Sequence, residues 1–516
     1  MKNIIEFQEI TITDTLDTAK ISTHFKALHN DKFVFVNNQL YYYNSYYWVK
    51  DSKKYSFLNT FISSVYYSYL QDVLNKLTTE NSKVTDVVIK QNNDQKLLNM
   101  RQRVSGLLNH RKRKDYIEDI ICAITNDDIQ FDNNPFLFAF KNKVYDLQKN
   151  KFVKPKAEQY ISYTTGYEYK LPSEELEQEL DTFIDTIFPQ PEIKHLYLTI
   201  LSTGLLGVNL EKFIVANGGG GNGKGVINEF VQTVLGEYCY VMPSSVLLSP
   251  LKTGSNPEIA NMNNKRLIIC REPDSTQKIN SSTMKELTGS DEVNARLNHS
   301  NVTKTLIKST LIMECNNKPK LDEITDAVAR RIIDIPFKST FVDQSVYDIL
   351  KDDQKENTFV INPYYKSKEF KEKYKLAMFH ILIKKYGEYV RNGSKLPMCK
   401  EVMERNKEYL KSSDDIGEYI GDVCEKDEEL NAKGTLKHRI KLKSIFEEFK
   451  KTEIYQNYDR KEKQLLTYKN FQVKLKANIF LRYSIKKDKD DTYQLMGYKW
   501  RKAAEEDDDD DKNLDL

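Results

Sequence analysis

KFIVANGGGGNGKGVINEFVQTVLG, Lys212 to Gly236, decides the fold of this 516-residue chain. A short apolar run enters a glycine loop, and an apolar-periodic segment leaves it at Lys224, so the reading is strand, loop, helix. Loop amides and a helix N-terminus together make an anion site. Gly218, Gly223 and Lys224 fall at the spacing G-x-x-x-x-G-K-[ST], but Gly225 stands where a Ser or Thr hydroxyl would face Mg²⁺. The candidate nucleotide-binding residues are Gly218, Gly219, Gly220, Gly221, Asn222, Gly223, Lys224, Gly225 and Val226, with Lys224 reaching the outer phosphates. Mg²⁺ commonly keeps several waters, so a water can occupy the position of the missing hydroxyl.

Such a site needs an acid at the end of a neighbouring buried strand. KRLIICREPD supplies Glu272 two residues after the apolar run Leu267–Cys270, with Asp274 a second candidate. Glu272 is expected to hold Mg²⁺ through water and to orient the attacking water. A further apolar run, STLIMECNNKP, ends in Asn316 and Asn317. An amide there can meet a γ-phosphate or the lytic water, while an Asn in a turn before Pro319 is the structural alternative. In DAVARRIIDIPF, Arg330 and Arg331 precede another apolar strand. Arginine presented across a subunit boundary stabilises transition-state charge; a surface pair is the plain alternative.

Over the whole chain the composition is that of a globular protein, with 40% hydrophobic and 30% charged residues and a mean hydropathy of -0.62. No run of about eighteen apolar residues offers a membrane span, and MKNIIEFQEI lacks the apolar core of a signal peptide. A cytoplasmic protein with no membrane partner is therefore expected. Six scattered cysteines without a CxxC pattern argue against a zinc module or a disulfide framework. The net charge is +3, but the acidic run Glu505 to Asp511 leaves a more basic body, which permits nucleic-acid binding. That run reads as a disordered solubility element or a mimic of DNA.

The segments are expected as follows: a mixed α/β N-terminal domain over 1–130, a pre-core segment with a helical collar over 131–194, the α/β core over 195–345, a helical connector over 346–411, a winged helix over 412–501 and the acidic tail over 502–516. In the first, FVFVNNQLYYYNSYYWVKD reads as strands turning at Asn37-Asn38 and Asn44-Ser45, whose tyrosines could stack on bases or pack across the sheet. The basic cluster His110 to Lys114 touches a phosphate backbone or forms a solvated helix face. Three helices and a hairpin in 412–501 follow the winged-helix order; Lys469, Lys474 and Lys476 lie on a helix that could enter a major groove, with KKDKDD as a wing tip.

Five stretches in order, GGGGNGKG, KRLIICRE, MKELTGSDEVNARLNHS, LIMECNNKP and DAVARRIIDIPF, resemble the motifs of superfamily III helicases, in the branch of phage, phage-satellite and poxvirus-type primase-helicases. NNPFLFAFKNKVYDL looks like the segment that precedes the helical collar in that branch. The resemblance implies an AAA+-type P-loop core with a parallel sheet, a homohexamer, and movement 3′ to 5′ on single-stranded DNA driven by ATP with Mg²⁺. It implies that Lys224 binds phosphate, that Glu272 serves Mg²⁺ and water, that Asn316 senses the γ-phosphate, and that Arg330 or Arg331, with Arg331 favoured, completes the neighbour's site. It also implies a hairpin in VNARLNHSNVTKTLI gripping DNA in a central channel, with His299 at its tip and Arg296 and Lys304 on its arms. The C-terminal module would recognise double-stranded origin DNA, as in phage satellites; the cytoplasm of a bacterial host is favoured, with that of an infected eukaryotic cell as the alternative. No primase pattern is found in the first 130 residues, so a separate primase or host replication proteins are expected as partners. The competing readings are a DNA-binding scaffold with little hydrolysis, a P-loop DNA-packaging motor, or a small-molecule kinase.

Overall fold

A computed structural model describes residues 9–251, 256–273, 277–289, 292–294, 304–431 and 433–501. The N-terminal region is mostly helical around one small sheet. Strands Phe33–Val36, Gln39–Tyr43 and Trp48–Lys50 form an antiparallel meander. Pairing of Val36 with Gln39 leaves Asn37 and Asn38 as a two-residue turn with φ of 49° and 61°, the left-handed conformation such hairpins need and Asn tolerates. The tyrosines are packing residues: Tyr42 stacks on Phe57 at 3.8 Å and Tyr41 on Phe131 at 4.3 Å between ring centroids. Helix His110–Ile124 begins at Asn109, whose side chain accepts from the amides of Arg111 and Lys112. Within the basic cluster, Arg113 turns inward to Asn59 and the Leu107 carbonyl.

A second meander, Leu137–Ala139, Val144–Asp146 and Lys151–Val153, leads to helices Glu174–Ile187 and Pro191–Thr203. Ser173, followed by three glutamates within the first turn, caps the first of these by accepting from the Leu176 amide.

The core is a five-stranded parallel sheet. Its strands are β1 (Phe213–Asn217), β2 (Cys239–Met242), β3 (Leu267–Cys270), β4 (Thr310–Cys315) and β5 (Ile332–Pro336), in spatial order β5-β1-β4-β3-β2. Every neighbouring pair is parallel. Side chains of β1, β3, β4 and β5 are almost all buried because helices cover both faces, which is why these strands read as continuous apolar runs rather than alternating ones; the edge strand β2 is only partly buried. One face packs on α1 (Lys224–Leu235), on helix Pro191–Thr203 and on α2 (Lys368–Arg391). The other meets helix Ser281–Gly289 and Tyr409 and Leu410 of α3 (Lys400–Ser412). The strand order sets β1, β4 and β3 side by side, so the glycine loop, the Asn316 turn and Glu272 all emerge at the C-terminal edge of the sheet.

Residues 346–411 are not a free connector. Helix α2 buries Phe370, Tyr374, Met378 and Leu382 against the core and the preceding helices, so the chain returns to seal the sheet it has just left. Strands Glu292–Asn294 and Lys304–Leu306 pair antiparallel, with Asn294 opposite Lys304. These are the expected hairpin arms; Arg296 and His299 lie outside the described residues, as do Asp274 and the acidic tail.

The last module, 413–501, has its own apolar core. Helix Asp415–Val423 is followed by helices Leu442–Phe449, Glu453–Gln456, Arg460–Leu465 and Tyr468–Ala477 and by a hairpin of Ile485–Lys487 with Tyr493–Met496. The stretch TYQLMGYKW forms two strands, Tyr493–Met496 and Tyr498–Trp500, broken at Gly497 with φ of 73°. Likewise FLRYSIKK becomes strand only at Ile485, after a 3₁₀ turn over Arg482–Ser484.

Candidate active site

The glycine loop is shaped by close contacts. A Cβ at Gly218 would lie 2.4 Å from the Phe337 carbonyl oxygen, and Gly223 sits at φ 84° against Ile187. Neither position accepts a side chain. Gly225 differs, because a Cβ there meets nothing within 4 Å. The loop delivers Lys224 to the first turn of α1, where its side chain is buried but for a few per cent.

Lys224 Nζ donates to the carbonyl oxygens of Gly218 at 2.5 Å and Gly219 at 3.2 Å, to Asn222 Oδ1 at 3.1 Å and to Asn316 Oδ1 at 3.0 Å. Burial lowers the lysine's pKa, opposed by Cys315, Glu314 and Glu272. All its partners are neutral oxygens, so the ammonium charge is solvated without being neutralised, as suits a cation that meets an anionic ligand. Glu272 Oε1 accepts from the backbone amides of Asn316 and Asn317, both at 2.8 Å. Lys224, Glu272 and Asn316, read from three separate stretches of sequence, thus share one hydrogen-bonded cluster.

These residues line a cleft of about 660 Å³ with a polar end and an apolar end. Gly220 to Val226, Glu272, Glu314 and Asn316 make the polar end; Phe183, Ile187, Phe341, Ile361 and Tyr365 contribute apolar surface. The arrangement fits a nucleotide, with phosphates at the loop and α1 N-terminus and a base against the rings. The donor set also suits Mg²⁺, a hard cation that takes oxygen ligands: carboxylates of Glu272 and Glu314 open onto the same cleft.

Sequence reading passed over Glu314. It lies on β4, where its Oε1 accepts from Asn228 Nδ2 of α1 at 2.6 Å, and Asn228 Oδ1 accepts from the buried Tyr197 hydroxyl at 2.6 Å. Burial pushes the Glu314 carboxyl upward, opposed by the Asn228 bond, Arg271 and Lys224. The available signal was a lone acid inside the apolar run TLIMEC. Burial likewise pushes the Cys270 and Cys315 thiols up to about 12, as expected for reduced structural cysteines. No disulfide forms among the described cysteines.

A second polar cluster stands beside the first. Asp334 of β5, fully buried, pairs with Lys318 at 2.7 Å and with Arg405 of α3 at 3.1 Å. Arg405 also donates to Asn217 Oδ1 at 3.0 Å, and Asn217 Nδ2 donates to the Asn316 carbonyl at 2.9 Å. Arg405 had no sequence signal, because KEVMERNKEYLKS reads as a charged helix throughout.

The two candidate fingers part company. Arg331 is buried, donating to Thr288 Oγ1 at 3.1 Å and to the Ala327 carbonyl at 2.7 Å, and its guanidinium lies where a methyl on Gly289 would sit. Arg330 projects, with 62% of its side chain exposed and only Glu211 at 3.9 Å. The preference for Arg331 as the residue offered to a neighbour is therefore reversed: a guanidinium locked inside its own subunit cannot reach another.

The three lysines of helix Tyr468–Ala477 are exposed but not equivalent. Lys474 donates to the Asp322 carbonyl at 3.0 Å, turning its face of the helix toward the core, and Lys476 lies over the Tyr493 ring at 4.3 Å. Lys469 is exposed, with no hydrogen bond, ion pair or ring contact of this kind among the described residues. The expectation of a three-lysine groove-reading face is corrected to that extent. No described helix is long and apolar enough to cross a membrane.

Comparison with known proteins places this geometry. Residues 22–189 match the family described as "D5 N terminal like", and residues 216–331 match a family of unknown function, DUF5906. A protein of Acanthamoeba polyphaga mimivirus named "Putative helicase L207/L206" is 29% identical over 63% of this chain and 34% of its own length. "Primase D5" of Fowlpox virus is 30% identical over 49% of this chain and 35% of its own length. The chain thus spans about a third of the length of the curated relatives it matches. Among solved structures, the apo NrS-1 C-terminal region aligns over 72% of this chain and 84% of its own at 12% identity, with a TM-score of 0.37. The resemblance to viral replication proteins of the poxvirus type is borne out by the named relatives.

Proposed function

We propose that this chain, kin to viral proteins named helicase and primase, is a nucleoside triphosphatase that couples ATP hydrolysis to movement on DNA. The observation that carries the reading is the convergence of Lys224, Glu272 and Asn316 in one cleft at the C-terminal edge of a parallel sheet, where ligands of open α/β sheets bind.

The chemistry follows from the residues. Lys224 exchanges its four loop and amide oxygens for those of the outer phosphates and neutralises charge there. Asn316, released from Lys224 by that exchange, turns its amide to the γ-phosphate or the attacking water. Glu272, held by two backbone amides, keeps one oxygen on the sensor turn and offers the other to the water as a base. Mg²⁺ supplies electrostatic neutralisation of the phosphates when bound; Glu272 faces it, and Gly225 gives it no hydroxyl.

The assembly is a P-loop AAA+ ring of six copies. Arg330, exposed at the start of β5, is the finger that completes a neighbour's site. The hairpin between Asn294 and Lys304 carries Arg296 and His299 toward single-stranded DNA, with 3′ to 5′ polarity. The C-terminal module acts as a winged helix on origin DNA through Lys469 and the turn between Ile485–Lys487 and Tyr493–Met496. Strand displacement on a forked duplex with ATP and Mg²⁺ tests this. Unwinding of the fork whose 3′ arm is single-stranded is expected, with binding that weakens as salt rises by about -0.7 in logarithmic slope per neutralised phosphate. ATP hydrolysis that DNA does not stimulate, without displacement on either polarity of fork, would contradict the reading.

A further inference from the structure

In P-loop enzymes the cation is held by a Ser or Thr beside the loop lysine and by an acid at the end of a neighbouring strand. Here the first position is Gly225 and the acid is Glu272, whose Oε1 is committed to the Asn316 and Asn317 amides. The polar end of the cleft therefore lacks one protein oxygen where it is ordinarily found and has another already engaged.

The neighbouring strand holds a carboxylate at the same level. Met313 is paired with Cys270, so Glu314 stands one step beyond, level with Arg271; on its other side it is paired with Ala216, just ahead of the glycine loop. Alternate residues of a strand share a face, and Ile312 packs in the cluster that holds Ile227 and Phe230 of α1. Glu314 therefore faces α1, and it lines the cleft together with Lys224 and Gly225. Its aim is set from behind: Tyr197 donates to Asn228, which donates to Oε1. Among the described residues no lysine or arginine forms an ion pair with it and no donor meets Oε2. A half-buried carboxylate with one neutral donor, opening onto the cleft, is placed to take a cation.

We propose that Glu314 is a second protein carboxylate, beside Glu272, that serves the nucleotide's divalent cation, supplied by β4 in place of the hydroxyl that Gly225 does not provide. The proposal rests on the nucleotide-site reading above. It makes Asn228 and Tyr197 positioning residues, and it explains the open space at Gly225: the hydroxyl is dispensable because the oxygen comes from across the cleft.

The test is a titration of Mn²⁺, followed by its electron paramagnetic resonance signal, into the full chain saturated with ADP, alongside binding of a fluorescent ADP analogue in EDTA. Glu314→Gln keeps an acceptor for Asn228 and removes the charge. It is expected to weaken Mn²⁺ about tenfold while metal-free binding of the analogue stays unchanged, and adding Gly225→Ser should recover part of the loss. Unchanged Mn²⁺ affinity in Glu314→Gln, or parallel loss of Mn²⁺ and of metal-free nucleotide, overturns the proposal. If Glu314→Gln melts early, Glu314→Asp carries the same test, with a smaller loss expected and no loss overturning. Failure of the nucleotide-site reading is distinct: the wild-type chain and Lys224→Ala would then bind the analogue alike in EDTA.

Discussion

Two carboxylates on strands of the same sheet, Asp334 buried and Glu314 half-buried, make an instructive pair. Asp334 of β5 is closed by Lys318 and Arg405, and its surroundings supply all the positive charge it meets. Glu314 of β4 has one amide from Asn228 and faces an open cleft. A carboxylate whose cations come from the protein is architecture, because its pairing is complete before any ligand arrives. One whose cation is missing leaves room for chemistry. Lys224 shows the same contrast with the sign reversed, since its partners are neutral oxygens that a phosphate can displace.

The comparison breaks most readily at Asp334. Asp334→Ala would leave Lys318 and Arg405, each with 24% of its side chain exposed, without their shared counter-charge, and we expect a loss of about 3 kcal/mol in unfolding free energy, the low end for breaking a buried pair, read by urea denaturation; Glu314→Gln should lose far less. Next is Arg331, whose hydrogen bonds to Thr288 and Ala327 are internal. Arg331→Ala should destabilise by about 2–3 kcal/mol, the range for a bond to a charged group, whereas Arg330→Ala should melt as the wild type and lose hydrolysis only in the assembled state. A smaller effect is expected at Asn316. Its replacement by Ala should lower kcat by about 10²-fold, as for loss of a preorganised donor, with little change in KM for ATP and in melting temperature. Gly225→Ser marks the lower end: the open space around that position predicts a hydrolysis rate equal to or somewhat above the wild type, measured at limiting Mg²⁺.

Local pattern made much of this legible. The glycine loop, the four-residue run Leu267–Cys270 and the cap at Ser173 are recorded in contiguous residues, and each element formed where its sequence places it. Lys224, Glu272 and Asn316 could be named because each ends or follows an apolar strand. Contacts made by distant parts of the chain could not. Nothing in KEVMERNKEYLKS shows that Arg405 returns to Asn217 and Asp334, since the pairing spans 188 and 71 residues. The burial of α2 was hidden for the same reason: its surface charges read as a connector, while the aromatic stripe that seals the core is spread over 24 residues. The preference for Arg331 over Arg330 had no structural footing in the sequence, because their directions are set by the turn from helix Asp326–Ala329 into β5. Glu314 was passed over because an alternating face is invisible until the strand's neighbours are known.

The central claim, that Lys224 lies at the heart of a hydrolytic nucleotide site, has one direct test. Steady-state phosphate release from ATP is measured with the wild-type chain and Lys224→Ala, each with Mg²⁺ and with and without single-stranded DNA, at matched folded concentrations. The account predicts DNA-stimulated release in the wild type and its loss in Lys224→Ala, with no change in melting temperature beyond that from ligand binding. Release that persists unchanged in Lys224→Ala would contradict it.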